Sequence, residues 1–128
     1  MLLIADSGST KTEWRVIEEG GNTIITLTTE GLNPFFLTVP KIAAIIEEKV
    51  LPRVEQVEKV FFYGAGCGLP VKAAQLREAL DSVIRPRYPS EVCGDILGAA
   101  RSLLQHEEGI ACILGTGANS CLYDGHGI

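Results

Sequence analysis

The sequence is short of several things that would place it quickly. Aromatic residues make up only 6% of it, with one tryptophan and one methionine. Basic residues are outnumbered, 11 against 16 acidic, for a formal charge of −5. That balance leaves no basic face to hold a nucleic-acid backbone or an anionic membrane by electrostatics, so a polyanion partner is disfavoured. The cysteines at 67, 93, 112 and 121 are widely and irregularly spaced, with no Cys-x-x-Cys, and two histidines are too few to complete a zinc site. They read as reduced thiols serving as small buried groups, and His106 and His126 as solvated residues at a helix end or loop. No apolar run approaches the roughly 20 residues that span a bilayer. The start, Met1 followed by Leu2 to Ala5 and then Asp6, carries neither a basic leader nor a small-residue cleavage site, so a cytoplasmic protein is expected.

What is present is an ordinary globular composition. With 128 residues, 46% hydrophobic and 21% charged, the chain is long enough to bury one core without disulfides or structural metal.

Punctuation by glycine and proline divides it into elements. Leu2 to Ala5 is a buried strand that stops in Asp6-Ser7-Gly8-Ser9-Thr10; Thr12 to Ile17 and Thr23 to Thr29 follow as strands around Gly20-Gly21-Asn22. Thr38-Val39-Pro40 opens a helix with Ile42, Ile45, Ile46 and Val50 at helical spacing, ending near Pro52. Val60 to Tyr63 is a strand running into Gly64-Ala65-Gly66-Cys67-Gly68. Pro70 then opens a second helix, with Ala73, Leu76, Leu80 and Val83 on one side, stopped at Arg85-Pro86. Glu91 to Cys93 is extended, and Asp95 begins a third helix bearing Ile96, Ala100, Leu103 and Leu104. Ile110 to Leu114, a turn at 115–119 and Ser120 to Tyr123 form a final hairpin. The order β-β-β-α-β-α-β-α followed by β-β predicts an α/β domain with a mixed sheet over residues 1–107, and the start of a second over 108–128. The two Gly-containing turns after apolar strands echo each other, as if the second domain begins as the first did.

Turns rich in Gly, Ser and Thr leave backbone N–H groups pointing into one concavity, where they can cradle phosphate oxygens. Lys11 adds a point charge beside the first turn, and Asp6 is placed to hold a hydrated Mg²⁺. Either turn alone is equally well a plain hairpin connection. No Walker A pattern surrounds Lys11, and the Gly64 to Leu69 stretch lacks the third glycine of a dinucleotide fingerprint. That loop still sits at the carboxyl end of a strand, where open α/β sheets place ligands, or it is simply a tight connection. Asp95 is either a helix N-cap or a carboxylate that takes a proton from a substrate hydroxyl. Asn33, in Gly31-Leu32-Asn33-Pro34, is either an Asn-Pro turn residue or a donor and acceptor for a sugar hydroxyl.

The segment Leu3-Ile4-Ala5-Asp6-Ser7-Gly8-Ser9-Thr10-Lys11-Thr12-Glu13-Trp14 resembles the first phosphate motif of the BadF/BadG/BcrA/BcrD ATPase and N-acetylglucosamine kinase family, within the actin, Hsp70 and hexokinase superfamily. ILGTGANSCLYDG, from Ile113 to Gly125, resembles the second phosphate motif. Glu91-Val92-Cys93-Gly94-Asp95 resembles the segment with the catalytic aspartate, and Gly31-Leu32-Asn33-Pro34 the sugar-contacting turn.

The resemblance implies a ribonuclease H-like, actin-like ATPase fold and transfer of the γ-phosphoryl of Mg·ATP to N-acetylglucosamine or glucosamine. It implies Asp95 as general base, with Asn33, Gly66, Asp95 and Thr116 toward the sugar. Ser7, Gly8, Ser9, Thr10, Lys11, Gly115, Thr116, Gly117 and Asn119 would face ATP, and Asp6 would face Mg²⁺. The family closes a cleft between two such domains, so these residues alone are expected to be inactive. The last hairpin leaves apolar edges that can pair two copies into a homodimer. Two other readings remain: an ATPase activator of a 2-hydroxyacyl-CoA dehydratase, which the absence of a cluster-binding cysteine motif disfavours, and a non-catalytic sugar- or nucleotide-sensing module.

Overall fold

The computed structural model describes residues 1–18 and 20–96 with their side chains, and 109–114 and 118–123 as backbone. Strands β1 (Leu2–Ser7), β2 (Lys11–Ile17) and β3 (Thr23–Glu30) form an antiparallel meander. Helix α1 (Val39–Lys49) and a 3₁₀ turn (Leu51–Arg53) lead to β4 (Lys59–Gly64), and α2 (Pro70–Ile84) leads to β5 (Glu91–Gly94). The sheet order is β3-β2-β1-β4-β5, with β4 parallel to β1 and β5 parallel to β4. This mixed five-stranded sheet with two helices is the expected α/β, actin-like arrangement. Helical backbone starts again at Asp95 and Ile96, and the rest of the third expected helix lies outside the described residues. Strands β6 (Gly109–Leu114) and β7 (Ala118–Tyr123) pair antiparallel in a second, two-stranded sheet.

Alternation assigns one face of the five-stranded sheet to the core. Register places the inward residues in cross-strand rows: Val16–Leu3–Val60, then Trp14–Ala5–Phe62, then Thr12–Ser7–Gly64. All but Gly64 belong among the fully or almost fully buried side chains, and Gly64 is buried as well. Small Ala5 in the middle row lets the rings of Trp14 and Phe62 meet edge to face, centroids 5.8 Å apart. The last row is small and polar, so the core gives way to hydroxyls and glycine where the parallel strands end. The β1 ladder continues through Asp6 and Ser7, two residues past the apolar run, because both pair across the hairpin with Glu13 and Thr12.

Both helices cover this face, α1 through Ile42 and Ile46 and α2 through Ala73, Leu76, Ala79, Leu80 and Ile84. Thr38 caps α1, its side chain accepting from the Lys41 N–H, with Pro40 in the first turn. Arg85 ends α2 in a left-handed conformation, φ 53°, ahead of Pro86. Among the described residues no helix is long and apolar enough to cross a membrane.

Candidate functional site

The carboxyl ends of β1, β4 and β5 lie side by side, so the chain segments leaving them converge on one edge of the sheet. The first is the turn from β1 to β2. Gly8 N–H donates to the Lys11 carbonyl at 2.9 Å, leaving Ser9 and Thr10 at the tip. Gly8, Ser9, Thr10 and Lys11 are all exposed, and among the described residues the Ser9 and Thr10 amides donate to no backbone carbonyl. Two adjacent N–H groups are therefore available to an anion.

Ser7 differs from its neighbours: its side chain turns inward and its hydroxyl is used there. The Leu32 N–H donates to Ser7 Oγ at 3.0 Å, and Thr12 Oγ1 lies 2.8 Å from Ser7 Oγ and 2.9 Å from the Glu30 carbonyl. The carbonyl can only accept, so the single Thr12 proton goes there, and the Ser7 hydroxyl donates to Thr12. This relay ties the turn to the end of β3. Only the Ser7 backbone faces the edge, and its carbonyl accepts from the Ala65 N–H at 2.8 Å, joining the first turn to the loop after β4.

That loop carries Gly66 at φ +81°, which an L side chain adopts only under strain. A Cβ there would also run into Asn33 Oδ1 and lie 3.0 Å from a Phe35 ring carbon. Gly66 and Asn33, two of the four residues expected to face the sugar, are thus packed against each other. Asn33 Oδ1 accepts from the Phe35 N–H at 2.9 Å, and the Asn33 carbonyl accepts from Phe36 and Leu37. The oxygen of its amide is a turn-former, as the Asn-Pro reading predicts, while among the described residues no bond engages the amide nitrogen. Lys72 braces the same turn, its Nζ 3.4 Å from the Pro34 carbonyl and 4.9 Å above the Phe35 ring.

The third segment begins at Gly94, where a Cβ would stand 3.4 Å from the Gly68 Cα, so β5 leaves the sheet directly beneath the Gly64 to Gly68 loop. Asp95 follows, half-buried at the first position of helical backbone. Asp6 and Asp95 leave strands separated only by β4, about 10 Å apart at the backbone, and their charges interact. The Asp6 pKa is raised, chiefly because neighbouring chain strips water from a carboxylate that keeps one exposed face, then by the charges of Asp95 and Glu13; Arg15 opposes them. Burial pushes the Cys67 thiol up to about 12, and the negative charge of Asp95 adds to it.

The edge therefore gathers Asp6, Gly8, Ser9, Thr10, Lys11, Asn33, Gly66 and Asp95. Gly115, Thr116 and Gly117 lie outside the described residues, as do His106 and His126, and Asn119 lies on β7, paired with Ile113. Two residues at the edge were not anticipated. Thr12 reads as an ordinary strand residue until its partners are known, and Gly31 reads as a turn glycine until its packing is seen. Among the described residues no group of three or more His, Cys, Asp or Glu could hold a metal by itself.

No family model matches the chain. No curated protein matches it either. Solved structures do. A protein of Porphyromonas gingivalis, described as a candidate N-acetylglucosamine kinase, is 50% identical with a TM-score of 0.91, over 98% of this chain and 45% of that one. A ROK family glucokinase from Streptomyces griseus, solved with glucose and AMPPNP, has a TM-score of 0.65 at 19% identity, over 96% of this chain and 45% of its own. A candidate N-acetylmannosamine kinase from Listeria monocytogenes has a TM-score of 0.73 at 18% identity, over 99% and 48%. The last two share the fold. The chain spans a little under half the length of each relative.

Proposed function

We propose, from the premise that the chain belongs to the N-acetylglucosamine kinase family and matches its N-terminal half, that it is the sugar- and phosphate-positioning part of an ATP-dependent amino-sugar kinase. Its substrate would be N-acetylglucosamine or glucosamine. Phosphoryl transfer is mostly a matter of positioning and of stabilising charge, and each group at the sheet edge suits one of those tasks. The Ser9 and Thr10 amides would bind phosphate oxygens, and Lys11 would add a charge. The Asn33 amide nitrogen would donate to a sugar hydroxyl, held in place by Gly66. Asp95 would accept the proton of the attacking hydroxyl.

The donor chemistry at Asp6 fits Mg²⁺, which is held by one or two carboxylates together with phosphates and water. The negative charges of Asp95 and Glu13 act on Asp6, more strongly than Arg15 opposes them, so a cation there would be electrostatically favoured. Bound Mg²⁺ supplies charge neutralisation on the phosphates. A water-excluded cleft needs a second wall, so turnover is proposed for the protein that includes the other half of the relatives' length, and not for these residues alone.

The observation that carries the reading is the convergence of the Ser9–Thr10 turn, the Asn33–Gly66 contact and Asp95 on one edge. The test is hexosamine phosphorylation with Mg·ATP by the full-length protein and by its Asp95→Asn variant. Loss of a general base is expected to lower kcat by roughly 10²- to 10⁴-fold, with sugar and ATP binding retained. Undiminished turnover in Asp95→Asn would remove Asp95 from the chemistry.

A further inference from the structure

Gly31 follows the last residue of β3, and its backbone does not need a glycine. Among the described residues the glycines with positive φ are Gly21 and Gly66, so any L residue could adopt the Gly31 conformation. Space is what forbids one. A Cβ at Gly31 would stand 2.6 Å from the Gly8 carbonyl oxygen, 2.6 Å from the Ser9 carbonyl oxygen and 2.7 Å from the Ser9 carbonyl carbon. All three are backbone atoms of the turn between β1 and β2, and no flexible side chain can swing aside. The same strap is bonded to that turn on either side of the contact. The Gly31 N–H donates to the Thr10 carbonyl at 3.1 Å, and the Leu32 N–H to Ser7 Oγ at 3.0 Å. Residues 31 and 32 thus touch every residue from Ser7 to Thr10, and Asn33 comes next in the chain.

We infer that Gly31 is a positioning residue: its missing side chain sets the distance between the strap that leads to Asn33 and the turn that presents the Ser9 and Thr10 amides. The inference rests on the functional reading above for what those amides bind, and on packing alone for where they stand. A methyl group at position 31 must push the turn about 1 Å outward to reach ordinary van der Waals separation. Displacements of that size at a positioning group cost up to about a hundredfold in function. Phosphate-binding donors and the Asn33 turn would then no longer be in register.

The test compares Gly31→Ala with Gly20→Ala in the full chain. Gly20 lies at the other end of the same hairpin, where an added Cβ meets nothing closer than 3.7 Å. Two readouts are taken: backbone amide chemical shifts of Ser9 and Thr10 without ligand, and affinity for ATP with Mg²⁺. Gly31→Ala is expected to move both amides and weaken ATP binding roughly ten- to a hundredfold, while signals from α2 and β4 stay in place. Gly20→Ala is expected to change neither. Adding Ser9→Gly to Gly31→Ala, which frees the turn to yield, is expected to restore part of the affinity. Should Gly31→Ala fail to fold, the double variant carries the comparison, and failure of both to fold would overturn the inference, which is of a local separation. Unmoved Ser9 and Thr10 amides would overturn it, as would moved amides with unchanged affinity in a parent that binds ATP. A parent that does not bind ATP would count against the functional reading, and the amide shifts would then decide the position of the turn by themselves.

Discussion

Strand β2 has a hairpin connection at each end, and the two are built on different principles. Beyond its carboxyl end, Gly21 has φ +83° with nothing within 4 Å of an added Cβ, and Gly20 has only the ends of the Asn22 and Glu18 side chains nearby. Glycine there serves backbone conformation, and the connection stands open to solvent. At the amino end, neither Ser9 nor Thr10 has positive φ, and the turn is gripped from beneath by Gly31, Leu32, Ser7 and Thr12. One connection only reverses the chain. The other is fixed against a neighbouring segment, which is what a loop with donors to aim requires.

Three measurements can break or sharpen that contrast. The largest effect is expected in thiol reactivity. With its pKa near 12, Cys67 at the packed edge carries almost no thiolate at pH 8, so iodoacetamide should modify it about a thousandfold more slowly than a Gly20→Cys thiol at the open end. Comparable labelling rates, read by peptide mass spectrometry, would mean the packed edge opens freely. Next comes Thr12→Val, which removes the centre of the Ser7–Thr12–Glu30 relay and strands buried polar groups. It should cost about 1–3 kcal/mol in denaturant unfolding, whereas Thr23→Val, at the exposed start of β3, should stay within about 0.5 kcal/mol. Equal costs would erase the distinction between the two ends.

The smallest effect is electrostatic. The folded-state pKa of Asp6 is raised above its unfolded value, so its contribution favours folding below the unfolded pKa and is lost as pH rises through the folded one. Asp6→Asn should therefore be more stable than the parent at neutral pH, by a few tenths of a kcal/mol after solvent screening, with the gap closing in acid. A gap that widens in acid would reverse the assignment.

Much of this was readable from residue order. Alternation in β1, β2 and β4, helical spacing in α1 and α2, and Pro40 and Pro70 near the helix starts place those elements to within a residue or two, except that α1 ends at Lys49, three residues before Pro52, which lies in the 3₁₀ turn that follows. The turn at Gly8 and the Asn33-Pro34 turn follow from local chemistry. The inward direction of Ser7 was also there to be read, since counting by twos from Leu3 through Ala5 ends on it. What could not be read was contact across the chain. That Asp6 interacts with Asp95 depends on β4 inserting beside β1 and on β5 following it. That Gly31 lacks room depends on a carbonyl more than 20 residues away. Neither leaves a mark on its immediate neighbours in sequence.

The row holding Ala5 has a practical consequence. Trp14 is the only indole in the chain, fully buried, with its Nε1–H donating to Thr29 Oγ1 at 3.0 Å and its ring edge to face with Phe62. It lies two residues along β2 from Thr12, in the row next to the one that supports the turn between β1 and β2. Excited at the red edge, beyond tyrosine absorption, the protein thus has a single lamp set beneath that turn, and its colour and brightness report on the packing there without any label.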